Sequence, residues 1–326
     1  MVTIYDIAKE MNISPSTVSR ALSGSPLVSE KTRTLVKEQA KKMGYQVNMV
    51  ARQLRNQSSN MIALVSLQEN WSWFTDELAN GVENEIHKAG YEMVVLHGTH
   101  DNREIITICE NMRFAGIIVA STELGQGQGY SNDVVPVVYV NRIVKDCYSI
   151  LPDDENSIRQ AMEYLRKAGH KEIGFINGPD RSMHSKLRYN AFVARMKEYQ
   201  YALKPCWMGS CDWTVDASYK VTAGILAQKK LPTALLAFND QMCIGIYRAI
   251  NDKGLQVGKD ISVVGIDNAD FSKWMVPALT TVSFPIYEMG REAAGKLLQR
   301  IAGAECEKET VVEGKLFVRE SVRIIR

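Results

Sequence analysis

The chain has 326 residues, 45% hydrophobic and 23% charged, a balance that permits a sizeable core and excludes disordered and fibrous classes. Its net charge of +2 is unevenly spread: residues 1–60 hold nine Lys and Arg against four Asp and Glu, and the rest carries an excess of acids. No run approaches the roughly 20 apolar residues of a membrane span, and no basic-then-apolar leader opens the chain, so a cytoplasmic protein is expected.

Thr3-x-x-Asp6 has capping-box spacing, which starts a first helix near Ile4. Ile4, Ile7, Ala8 and Met11 recur on one face, expected to be buried, and leave Lys9 and Glu10 in water. Asn12 tolerates the left-handed turn that follows. Ser14 then caps a second helix with Pro15 in its first turn. Val18 and Leu22 face inward, leaving Pro15, Ser16, Thr17, Ser19 and Arg20 outward. Short hydroxyls around one forked donor suit base edges and phosphates. Ser29 caps a third helix, with Leu35, Val36, Ala40 and Met43 expected to face in. This is a helix-turn-helix pattern, and the basic charge of its segment suits a phosphate backbone. Residues 1–45 are read as this head, with Thr3 included among its candidate DNA contacts, and 46–60 as a short helix plus polar linker.

From residue 61 to 326 the chain reads as a body in which apolar runs alternate with amphipathic stretches. Strands are expected over 61–67, 92–97, 116–120, 135–140, 173–177, 235–238 and 261–266, and helices over 76–88, 157–167, 188–199, 218–228 and 241–251. The alternation implies an α/β body with parallel sheets, in two lobes. Six scattered cysteines, without a Cys-x-x-Cys pair, read as reduced thiols, and His97 and His100 lack the second cluster a metal would need.

Gly125, Gly127 and Gly129 form G-x-G-x-G, not a dinucleotide fingerprint, and no amphipathic helix follows; a flexible loop is expected. The sequence holds no nucleophile elbow, P-loop or HExxH, so neither an enzyme nor a cofactor is expected. In open α/β sheets ligands bind beyond the carboxyl ends of strands. Asn141, Asn239, Asp240 and Asp267 follow apolar runs directly, while Trp71, Trp73 and Phe74 fall in the expected loop after the first strand. Aromatic faces and polar forks together suit a sugar, although a polar residue after a strand can equally cap the next helix.

At Tyr5-Asp6-Ile7-Ala8, Ser16-Thr17-Val18-Ser19-Arg20, Gly44-Tyr45, Val50-Ala51-Arg52-Gln53-Leu54, Ala237-Phe238-Asn239-Asp240, Ser262 to Asp267 and Pro277-Ala278-Leu279-Thr280-Thr281 the sequence resembles the lactose repressor (LacI/GalR) family of bacterial transcription regulators. The resemblance spans nearly the whole chain. It implies two periplasmic-binding-protein-like lobes, about 61–153 with 285–313 and about 154–284 with 314–326, joined near Asp154, Phe284 and Gly314. It implies a hinge helix in which Leu54 enters the minor groove of pseudo-palindromic operator DNA, with Ala51 where two hinge helices meet and Arg52 and Arg55 near phosphates. Pro15 departs from the longer side chain many relatives place there. By position, Arg188, Trp213, Asn239 and Asp267 look like effector contacts, joined by Trp73, Phe74 and Asn141; His184 and Ser182 lie in a variable stretch that either tunes the ligand or caps the helix leading to Arg188.

The function implied is a homodimeric, sequence-specific repressor released from its operator by a small sugar or sugar derivative. No heptad tail follows Phe317 to Val322, so a dimer is the expected assembly. Alternatives left open are a corepressor mechanism with a purine or other metabolite, a protein partner for the body, and a two-lobed sugar-binding protein without regulatory DNA binding.

Overall fold

The computed structural model describes residues 2–22, 25, 27–45, 59–67, 73–97, 103–121 and 135–325. The hinge candidates Ala51, Arg52, Leu54 and Arg55, the candidate effector residue Trp71, His100 and the glycine loop at 125–129 lie outside them. The chain divides into two compact units, Met1–Ser59 and Asn60–Arg326.

The first unit is three helices, α1 (Ile4–Met11), α2 (Pro15–Leu22) and α3 (Glu30–Lys42). Thr3 caps α1 reciprocally with Asp6, and the N–H of Asn12, in the left-handed region at φ 51, donates back to Ala8 and Lys9. Ile7, Val18, Ala21 and Val36 are fully buried in the small core. Leu35 departs from expectation: it is 49% exposed. The inward stripe of α3 runs Val36–Ala40–Met43, and Leu35 stands about 100° round the helix from Val36, at the edge of that stripe.

The second unit contains two six-stranded sheets. The first is built from β1 (Met61–Ser66), β2 (Glu92–His97), β3 (Gly116–Ala120), β4 (Val137–Val140), β5 (Tyr148–Pro152) and β11 (Glu309–Val312), in the order β11-β5-β4-β3-β1-β2, all parallel. Helices α4 (Trp73–Lys88), α5 (Arg103–Asn111) and α10 (Ile286–Ile301) accompany it. The second comprises β6 (Ile173–Asn177), β7 (Met208–Ser210), β8 (Ala234–Ala237), β9 (Ser262–Asp267), β10 (Thr280–Ser283) and β12 (Leu316–Phe317), in the order β12-β10-β9-β8-β6-β7 with only β12 antiparallel. Its helices are α6 (Asp154–Lys167), α7 (Met183–Glu198), α8 (Val215–Leu226) and α9 (Asp240–Asp252).

Fully buried strands such as Gly116–Ala120 and Ile173–Asn177 read as unbroken apolar runs because helices cover both faces of a parallel sheet. The chain passes between sheets three times, after β5, after β10 and after β11. In the first lobe α4 and α10 pack closely because glycines face each other across the contact. A Cβ on Gly81 would stand 2.1 Å from the Tyr287 carbonyl oxygen, and one on Gly290 2.5 Å from that of Leu78.

Trp73 and Phe74, expected in a loop, instead open α4, because Trp73 to Lys88 continues one helical stretch with Asp76 in its first turn. Strands β5, β7, β10, β11 and β12 and helices α5 and α10 had no counterpart in the expected elements. The strands are short or mix polar with apolar residues, and β7, β11 and β12 pair with partners distant in sequence. Among the described residues no helix is long and apolar enough to cross a membrane, and no group of His, Cys, Asp or Glu is arranged to hold a metal ion.

Candidate functional site

Two sites are built by the two units. In the first, α2 turns Val18 and Ala21 into the core and leaves Pro15, Ser16 and Arg20 exposed, with Thr17 and Ser19 partly so. The Ser14 hydroxyl lies 2.8 Å from those of both Ser16 and Thr17 and accepts from the Thr17 N–H at 3.1 Å, which orients two polar groups of this face. Thr3 is differently engaged: its hydroxyl donates to Asp6 Oδ2 at 2.7 Å and accepts from the Asp6 N–H, bonds that hold the Asp6 carboxyl below its usual range.

In the second unit, Asn141, which follows a strand, joins a buried polar network with residues of α6 and α7. Arg188, one turn into α7, is buried; its Nε donates to Asp154 Oδ1 at 2.6 Å and its Nη1 to the Phe238 carbonyl at 2.5 Å. The guanidinium lies over Phe238, 4.4 Å from the ring centroid, and 5.8 Å from that of Phe284. Asp154 Oδ2 lies 2.5 Å from Nδ1 of His184, whose Nε2 lies 2.6 Å from Oδ1 of Asn141. Asn141 donates through Nδ2 to the Ser121 carbonyl at 2.9 Å. Ser121 and Asn141 follow strands of the first sheet, His184 and Arg188 flank the second, and Asp154 stands at a crossing between them. Burial alone pushes the Asp154 carboxyl up, but the Arg188 and His184 charges and their hydrogen bonds prevail and hold it below the usual carboxylate range.

Beside this network, Asp267 closes β9 at φ 131, followed by Asn268 at φ 56; Asn141 has φ 57. Non-glycine residues in this region are strained, and here three of them stand just at or beyond strand ends. Burial pushes the Asp267 carboxyl up to about 7, against the pull of Arg188 and of the Asp240 N–H. Asp240 is fully buried, receiving the Thr281 hydroxyl at 2.6 Å and the Ala269 N–H at 2.9 Å, and burial with the nearby Asp267 raises its carboxyl too. Gly265 makes room for it, since a Cβ there would stand 2.1 Å from Asp240 Oδ1.

Not every candidate joins the network. Asn239 caps α9, its Oδ1 accepting from the Met242 N–H at 3.0 Å. Ser182 caps α7, which leaves His184 to the network. Phe74 is buried in the first lobe's core, its ring 6.4 Å from Phe284, which in turn meets His184 edge-on at 6.0 Å. Trp213 leans on Phe238 at 6.3 Å. The side chain of Trp73 lies outside the description. Asp154 was not among the expected site residues. Its signal was redundancy: Asp153 already caps α6, accepting the Asn156 N–H at 2.8 Å, so an adjacent buried acid needed another partner. A separate surface cavity of about 470 Å³, lined by Tyr247, Arg248, Asn251, Val257 and Pro277 among others, includes none of these residues.

Residues 3–48 match the family model of bacterial regulatory proteins, lacI family, and residues 162–322 that of the periplasmic binding protein-like domain. Over 99% of both chains the sequence is 33% identical to the probable HTH-type transcriptional repressor ExuR of Bacillus subtilis (strain 168). The chain belongs to the lacI family. It is also 30% identical to the HTH-type transcriptional repressor PurR of Pectobacterium atrosepticum, over 99% of this chain and 97% of that one. Among solved structures it superposes on the lac repressor dimer bound to operator and the anti-inducer ONPF with a TM-score of 0.83 and 26% identity, covering 99% of each chain. The fold is thus that of the lac repressor, a helix-turn-helix head with a periplasmic-binding-protein-like body. As a lacI-family transcriptional repressor with an effector-binding body, the chain is a regulator and not an enzyme.

Proposed function

We propose that this repressor acts in the cytoplasm as a homodimer on a pseudo-palindromic operator, and that a small sugar or sugar derivative bound between its lobes controls operator binding. One observation carries the effector reading: the buried chain from Ser121 through Asn141, His184 and Asp154 to Arg188, which joins donors and acceptors at strand ends of the first sheet to the first turns of α6 and α7. Phe284 and Trp213 bring aromatic rings beside it, of the kind that suits the apolar side of a sugar, while Phe238 backs the Arg188 guanidinium. Arg188 and Asp267 are the polar anchors. The exposed face of α2 supports operator contact, with Ser16 and Arg20 on bases and Thr17 and Ser19 on phosphates.

The deciding experiment screens sugars, sugar acids, sugar phosphates and nucleobases by thermal shift and by operator release. A ligand bound only by the native state raises its apparent stability. Release by a sugar supports induction; operator binding tightened by a base supports corepression instead. If no small molecule shifts the melting temperature, the effector reading fails.

A further inference from the structure

We propose that Asn141, His184 and Asp154 form a proton-dependent latch between the two lobes, closed only while both ring nitrogens of His184 carry hydrogen. The geometry leaves His184 facing acceptors on both sides. Asn141 donates its amide NH2 to the Ser121 carbonyl, so the atom it turns to His184 Nε2, at 2.6 Å, is its oxygen. On the other side Nδ1 faces a carboxylate oxygen of Asp154 at 2.5 Å. Neutral imidazole offers a single N–H and cannot serve both; the doubly protonated ring can.

Loss of one proton therefore breaks one of the two bonds. The remaining N–H stays with Asp154, because a hydrogen bond to a carboxylate is stronger than one to an amide oxygen. Nε2 then turns a lone pair toward the Asn141 oxygen, and two buried acceptors repel across the lobes. Asn141, His184 and Asp154 are each less than a tenth exposed, so water does not readily relieve this. The charged groups around the ring are Asp154 from the start of α6 and Arg188 one turn further along α7. Asp267, from the end of β9, faces Arg188 and Asp154. Asn141 beyond β4 and Phe284 beyond β10 bring no charge. Acid thus fastens the lobes together without effector, and an effector that offers an acceptor to Nε2 takes the place of Asn141. Only this last consequence rests on the effector reading above.

The test uses the full-length protein without DNA, with ¹⁵N-labelled histidine, between about pH 5 and about pH 8. The ¹⁵N shifts of His184 count its ring protons at each pH. As one proton is lost, amide exchange around Asn141 and His184, corrected for intrinsic rate, should rise roughly tenfold, the weight of one hydrogen bond to a charged group. Asp267 titrates in the same window, so the decisive quantity is the difference from His184→Gln, in which this rise should vanish. Asn141→Gly, which suits the left-handed backbone and removes the acceptor facing Nε2, should abolish the rise as well. A single ring proton on His184 throughout, or an equal rise in wild type and His184→Gln, overturns the proposal. If His184→Gln does not fold, the labelled wild type and Asn141→Gly decide. Neither readout involves the operator, so failure of the operator experiment leaves the latch standing, and failure of the latch leaves the regulator intact.

Discussion

Arg188 Nε lies 2.6 Å from Asp154 Oδ1 with both side chains only 3% exposed, an ion pair joining a lobe crossing to the first turns of α7. Removing one partner strands a buried charge. Asp154→Asn should therefore lower stability by about 3–5 kcal/mol in denaturant titrations, and pairing it with Arg188→Gln should restore much of the loss. A cost below about 1 kcal/mol would show that water already reaches the pair.

The Asp267 carboxyl is raised by burial to about 7. Its folded value thus lies above the unfolded value near 3.9, so the stabilisation it contributes is complete below about pH 4 and lost as pH rises through about 7. Asp267→Asn, which is always neutral, should flatten the decline of melting temperature across that window and gain on wild type above it. Asp240 shares the titration, so part of the slope should persist. Effector affinity should fall while operator binding of the free protein is kept; joint loss of both would mark Asp267 as purely structural.

Arg20 stands exposed on the outward face of α2. Arg20→Ala should remove ~1–3 kcal/mol of discrimination between the operator and a base-substituted copy, with little change in folding. Unaltered preference in a competition binding assay would place Arg20 on phosphates only.

Leu54 is expected to wedge into the operator's minor groove. Leu54→Ala should weaken operator binding and reduce bending of the duplex, since the bend is what offsets a few kcal/mol of unstacking. Tight binding with an undiminished bend in a fluorescence-transfer assay would make Leu54 a packing residue.

Most of the head follows from local signals, caps and periodicity together: Thr3 and Ser29 cap as their side chains dictate, and Ile7 and Val18 bury where 3.6-residue spacing puts them. Leu35 escaped that logic, since which side of a stripe is covered depends on a neighbour. The long apolar runs of the body were equally legible, because a strand covered on both faces has no polar period. Short strands such as Glu309–Val312 were not: their stabilisation comes from pairing with Tyr148–Pro152, more than 150 residues earlier, which no local window contains.

The same limit separates the site residues. A polar residue after a strand is visible in sequence, but its task is not: Asn239 spends its oxygen on a helix cap, while Asn141 spends its own on His184. Asp154 reads locally as one more acid at a helix start. Only the tertiary fold brings it to His184 and Arg188, 30 and 34 positions away, whose charges and hydrogen bonds hold its carboxyl below the usual range. Residue types and strand ends are written in the chain; partners and protonation come from desolvation and distance, which exist only once the lobes have packed.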